Sequence, residues 1–143
     1  MNGSNNYSDR NSEPNIGEIL FEKYCSDNGF FCTRIGFDEK NESVPEFFNL
    51  NHCMRNLPDY YISKNQRSWL VMVKGTGNIK KTEVELIPKF VQWYSDVKSP
   101  LVYAFCFNGK KPQFMPANKV IELYNMSSDR QWHDGKIYRN LCL

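Results

Sequence analysis

At 143 residues the chain suffices for one domain with its own core, and a composition 41% hydrophobic and 15% aromatic makes most of it foldable. Eighteen basic against sixteen acidic side chains leave a net charge of +2, which excludes a uniformly basic nucleic-acid coat and confines any cationic surface to a patch. No apolar run approaches the roughly 20 residues of a membrane span and no signal-peptide pattern opens the sequence, so a soluble, intracellular protein is expected.

Residues 1–14 are rich in Asn, Ser and charge and read as a disordered tail, with a single domain over 15–143. From Asn15, Ile16, Ile19, Leu20 and Tyr24 recur at helical spacing, and Asn28-Gly29 supplies a stop. A strand follows over 30–37. Residues 38–57 are polar and irregular, the length of a functional or mobile loop. Two apolar strands come next, Tyr60-Tyr61-Ile62 and Trp69-Leu70-Val71-Met72-Val73-Lys74, joined through 63–68. Thr82 and Glu85 have capping-box spacing ahead of a helix whose apolar face is Val84, Ile87, Val91 and Tyr94. Pro88 within it predicts a late start or a kink. Residues 101–107 form the clearest strand, 112–115 another, 118–124 a short helix and 135–138 a last strand. The alternation predicts an α/β (α+β) protein, a mixed sheet flanked by helices in the order α-β-β-β-α-β-β-α-β.

The five cysteines (Cys25, Cys32, Cys53, Cys106, Cys142) include no C-x-x-C pair, so neither a zinc knuckle nor a disulfide framework is expected. Cys25 and Cys106 read as small core residues. His52-Cys53 is a lone pair of soft ligands without a second pair at metal spacing. His133 has no neighbouring motif. Tyr60, Tyr61, Trp69 and Trp93 include more candidates for the core than for base stacking.

Pro58-Asp59 opens one strand and Val73-Lys74 closes the next, fifteen positions after the aspartate. In this the chain resembles the PD-(D/E)XK nuclease superfamily, whose restriction-endonuclease-like and Holliday-junction-resolvase-like members carry Pro-Asp on one strand and acid-x-Lys on the following one. The resemblance extends from Gly17-Glu18 on the first helix to about Tyr124. It departs from the pattern at Met72, which stands where the second acid belongs. A thioether cannot replace carboxylate oxygen around Mg²⁺.

The resemblance implies a metal-dependent DNA endonuclease that hydrolyses phosphodiester bonds, on branched or nicked duplex, commonly as a homodimer. It implies Mg²⁺ or Mn²⁺, held by Asp59 and the carbonyl of Val73, with Lys74 as the catalytic lysine. The missing carboxylate then comes from a helix: Glu18 or Glu85, with Glu22 and Glu83 as lesser candidates. Lys64 and Arg67 between the motif strands, and Lys80 and Lys81 after them, are candidates for phosphate contacts. The competing reading is a catalytically degenerate nuclease-fold protein that binds nucleic acid or a protein partner.

Overall fold

The structure is a computed structural model that describes residues 16–36, 57–93 and 99–143. The N-terminal tail, the loop from 38 to 56 with His52-Cys53, and Tyr94 lie outside the described residues. Helix α1 (Ile16–Asp27) leads into β1 (Phe31–Arg34); β2 (Tyr60–Lys64), β3 (Arg67–Lys74) and β4 (Asn78–Lys80) follow. Helix α2 (Lys81–Trp93), β5 (Leu101–Phe105), β6 (Gln113–Pro116), α3 (Ala117–Asn125), β7 (Arg130–Gln131) and β8 (Ile137–Asn140) complete the chain.

A five-stranded sheet runs β1-β2-β3-β5-β6, and a three-stranded one β4-β8-β7. All pairings are antiparallel except β3 with β5, where Leu70 lies beside Leu101 and Lys74 beside Phe105. A parallel pair needs a crossover, and α2 provides it. These two strands are the central ones and are apolar on both faces for that reason. Leu70, Met72, Tyr103 and Phe105 face one core with Leu86, Ile87 and Phe90 of α2. Val71, Val73, Ala104 and Cys106 face the other with Phe21 and Cys25 of α1. The expected mixed sheet flanked by helices is present, with two additional short strands, β4 and β7.

Three local expectations change. The segment 63–68 is a tight hairpin, not a loop: Lys64 pairs with Arg67, and Asn65 and Gln66 both take positive φ (52° and 65°). That is the two-residue turn whose twist matches the flanking strands. Helix α2 begins at Lys81, one residue before Thr82, so Thr82 is helical rather than a cap. Pro88 lies inside this helix, past its first turn, where it removes one backbone donor. The buried stripe of α2 is Glu83, Leu86, Ile87 and Phe90, spaced i, i+3, i+4, i+7, while Val91 is 53% exposed. In α1 the buried residues are likewise Gly17, Phe21 and Cys25, and Ile16 and Ile19 face outward.

Candidate active site

The start of β2, the end of β3 and the first turns of α1 and α2 meet at one end of the central strands. Asp59 is fixed there by its own strand neighbours. Its backbone N–H donates to the Val71 carbonyl (2.9 Å) and its carboxylate Oδ2 accepts from the Val73 N–H (2.8 Å). The aspartate therefore brackets Met72, holding β3 by the residues on either side of it. On the other flank the Asp59 carbonyl accepts from the N–H groups of Ile35 and Gly36 (2.9 and 3.3 Å). Gly36 suits this approach: a Cβ there would stand 3.0 Å from the Pro58 carbonyl oxygen and 3.3 Å from the Asp59 Cα, close enough that the neighbouring backbone would have to give by a few tenths of an ångström.

Lys74 ends β3 and points toward α2. Its Nζ contacts Glu83 Oε1 at 2.5 Å, and the Tyr103 hydroxyl donates to Glu83 Oε2 at 2.6 Å. Glu83 is one of the two buried polar or charged residues among those described, 6% exposed. Both of its oxygens are satisfied, as burial of a carboxylate demands. Tyr103 is the β5 residue directly beside Met72 in the parallel register. The hydroxyl that anchors Glu83 thus rises from the strand neighbour of the position where the motif lacks its acid.

Glu18 enters from α1. Gly17 lets that helix approach closely: a Cβ on it would lie 2.8 Å from the Gly75 nitrogen and 2.9 Å from the Gly75 Cα. Glu18 Oε2 accepts from Arg34 on β1 at 2.7 Å. The same guanidinium lies 3.4 Å from the Tyr60 hydroxyl, which donates to Glu22 at 2.5 Å.

Charge and burial act together on Asp59. Its carboxyl stands raised to about 6: burial pushes it up, the Val73 N–H and Lys74 pull it down, and Glu18 and Glu83 push it up. Burial and Glu83 likewise drive the Tyr103 phenol well above its ordinary value, so it stays a proton donor to Glu83. Two glutamates, Glu18 and Glu83, therefore act on the Asp59 carboxyl, against the opposing charge of Lys74.

The placement of the sequence candidates can now be given. Asp59, Val73, Lys74 and Glu18 converge at this end of the sheet, and Glu83 joins them. Glu85 lies on the exposed side of α2, its charge acting on Tyr124. Helix phase decides between the two glutamates. Glu83 is in register with Leu86, Ile87 and Phe90 and turns inward with them, and that spacing was the signal available in the sequence. Lys64 and Arg67 sit at the hairpin turn, about 23 Å of strand from Lys74. There Lys64 donates to the Asn28 carbonyl and lies over Phe30. Lys80 and Lys81 join β4 to α2, just ahead of Glu83.

The donor set is carboxylate and carbonyl oxygen, suited to a hard divalent cation and not to a soft one. Among the described residues no three His, Cys, Asp or Glu side chains form a ready-made metal cluster. Mg²⁺ does not need one, since it is commonly held by one or two carboxylates and completes its shell with water. Asp59 and Glu83 are the carboxylates that would meet that requirement, with one Asp59 oxygen taken by the Val73 N–H and both Glu83 oxygens by Lys74 and Tyr103.

No protein-family model and no curated protein matches the chain. Among solved structures it is similar to Hjc, a Holliday junction resolvase from the archaeal hyperthermophile Archaeoglobus fulgidus. The identity is 12%, over 89% of this chain and 88% of that one, with a TM-score of 0.51. The likeness shows the fold: this chain has a mixed sheet flanked by helices, similar to that of Hjc.

Proposed function

We propose that the chain is a Mg²⁺- or Mn²⁺-dependent DNA endonuclease. The observation that carries the reading is Glu83, a buried carboxylate held by Lys74 and Tyr103 beside Met72, close enough to Asp59 to raise its carboxyl. Glu83 takes the part of the acid that Met72 replaces. Asp59, Glu83 and the Val73 carbonyl would hold the cation, and Glu18 would support them from α1. The cation, when bound, polarises the phosphate and lowers the pKa of a bound water. Lys74 orients the attacking water and offsets charge on the phosphate, and Tyr103 keeps Glu83 from swinging away. The Hjc likeness favours branched DNA as substrate, and the superfamily resemblance a homodimer as the working form.

The competing reading, a binding protein on a degenerate nuclease scaffold, has one observation in its favour: both oxygens of Glu83 are engaged by protein groups. Plasmid and four-way-junction DNA incubated with the chain in Mg²⁺ and in Mn²⁺ separates the two. The endonuclease reading expects cation-dependent cleavage that Asp59→Ala and Lys74→Ala each reduce by about 100-fold or more. Cleavage that survives both substitutions would refute it.

A further inference from the structure

The small sheet β4-β8-β7 has two unlike faces. Side chains alternate along a strand, and directly paired residues share a face. Ile79, Arg139 and Leu141 belong to the inner side: Ile79 and Leu141 are buried, and Arg139 lies over the Tyr124 ring at 4.5 Å and donates to the Tyr124 carbonyl. The opposite parity is different. Lys80, Tyr138 and Arg130 form one row across the three strands, because Lys80 pairs with Tyr138 and Tyr138 with Arg130. Asn78 and Asn140 form the next row and hydrogen-bond to each other at 2.8 Å. Trp132, two residues beyond Arg130, stacks on Tyr138 with ring centroids 4.0 Å apart and planes at 16°. Lys136, two residues before Tyr138, shares this parity. The outer face is thus an aromatic stack, partly exposed, set among Lys80, Arg130 and Lys136.

We infer that this outer face is a docking surface for DNA and that it takes unpaired bases next to the site of cleavage. Cations around an aromatic platform match a phosphate backbone with bases splayed from it, whereas a fully paired duplex offers no free base face to stack. Position supports the same partner. Only Gly75-Thr76-Gly77 separates Lys74 from β4, and Lys80 lies three residues before Glu83. The β4 edge of the small sheet therefore lies next to the Asp59–Lys74 end of the large one, and a strand crossing from β7 to β4 would run toward it. The inference rests on the endonuclease reading for where the cut falls, but not for the binding itself.

The test is anisotropy of labelled oligonucleotides with the full chain, free of divalent cations, from about 50 to 200 mM salt. A paired duplex is compared with the same duplex carrying a single-stranded flap. Trp132→Ala is expected to weaken flap binding about tenfold or more and to leave the paired duplex nearly unchanged. Arg130→Glu, on the exposed surface, tests the face even where Trp132→Ala fails to fold. It is expected to weaken both substrates and to lower the slope of log affinity against log salt by about 1. Equal loss on both DNAs with Trp132→Ala, unchanged binding with Arg130→Glu, or no salt-sensitive binding overturns the inference. Binding that behaves as described without any cleavage in Mg²⁺ would instead overturn the endonuclease reading alone.

Discussion

Replacing Gly17 by alanine tests how α1 is seated against the site. The added Cβ would fall 2.8 Å from the Gly75 nitrogen, 2.9 Å from the Gly75 Cα and 3.2 Å from the Lys74 carbonyl carbon. All three are backbone atoms at the end of β3, so no side chain can rotate away and the helix itself must move. Overpacking of this kind costs about 1–3 kcal/mol. The better helix propensity of alanine returns less than its full ~1 kcal/mol at the second position of a helix. With an unfolding entropy of about 2.1 cal/mol/K per residue, a chain of this size should lose about 3–7 °C in Tm. Gly75→Ala is the matched control. Its Cβ would meet Gly17 at 3.5 and 3.7 Å, ordinary contact distances, so its Tm should stay within about 2 °C. Differential scanning calorimetry reads both. Because Glu18 follows Gly17 directly, cleavage should also fall in Gly17→Ala and not in Gly75→Ala. A Gly17→Ala protein that melts with the wild type, or a Gly75→Ala protein that loses as much, refutes the close approach.

Two further outcomes follow from the site's electrostatics. Asp59 has a carboxyl raised to about 6 in the folded chain against 3.8 in the unfolded one, so its contribution to stability is fully present below the unfolded value and is lost as pH rises through about 6. Asp59→Asn, which keeps an acceptor for the Val73 N–H, should therefore match the wild type near pH 4. It should be more stable near pH 7.5, by on the order of 2 kcal/mol after discounting for solvent screening. Urea unfolding at the two pH values checks it, and a variant less stable at pH 7.5 contradicts the sign. Tyr103→Phe removes the donor to Glu83 Oε2 and should cost about 1–3 kcal/mol in the same assay, with cleavage falling further than stability accounts for. Full activity in that variant would show that Tyr103 does not position Glu83.

Much of the fold is written in apolar runs that admit one reading. Leu101 to Phe105 and Leu70 to Val73 are apolar at consecutive positions because β5 and β3 are covered on both faces. The hairpin at Asn65-Gln66 was not legible because its second residue takes positive φ without being glycine. Strands β4 and β7 are three and two residues long, too short to carry a period. Asp59 and Lys74 could be named from motif residues at fixed spacing, and Glu18 only as a candidate from its place on the first helix. Glu83 ranks below Glu85 on the sequence, although its spacing to Leu86, Ile87 and Phe90 is there to read, because the Thr82–Glu85 spacing suggests a cap and the apolar face is drawn through Val84, Ile87, Val91 and Tyr94. The buried stripe of the structure runs through Glu83, Leu86, Ile87 and Phe90 and makes Glu83, not Glu85, the inward glutamate. Glu83 belongs to the buried stripe through two hydrogen-bonding partners on the sheet, Lys74 and Tyr103.

The account stands or falls on Glu83. Cleavage of junction DNA in Mn²⁺ by Glu83→Gln and by Glu85→Gln, each confirmed folded by circular dichroism, puts the question directly. The expected result is loss of about 100-fold or more in Glu83→Gln and near wild-type cleavage in Glu85→Gln. Cleavage retained in Glu83→Gln, or lost only in Glu85→Gln, would contradict the assignment.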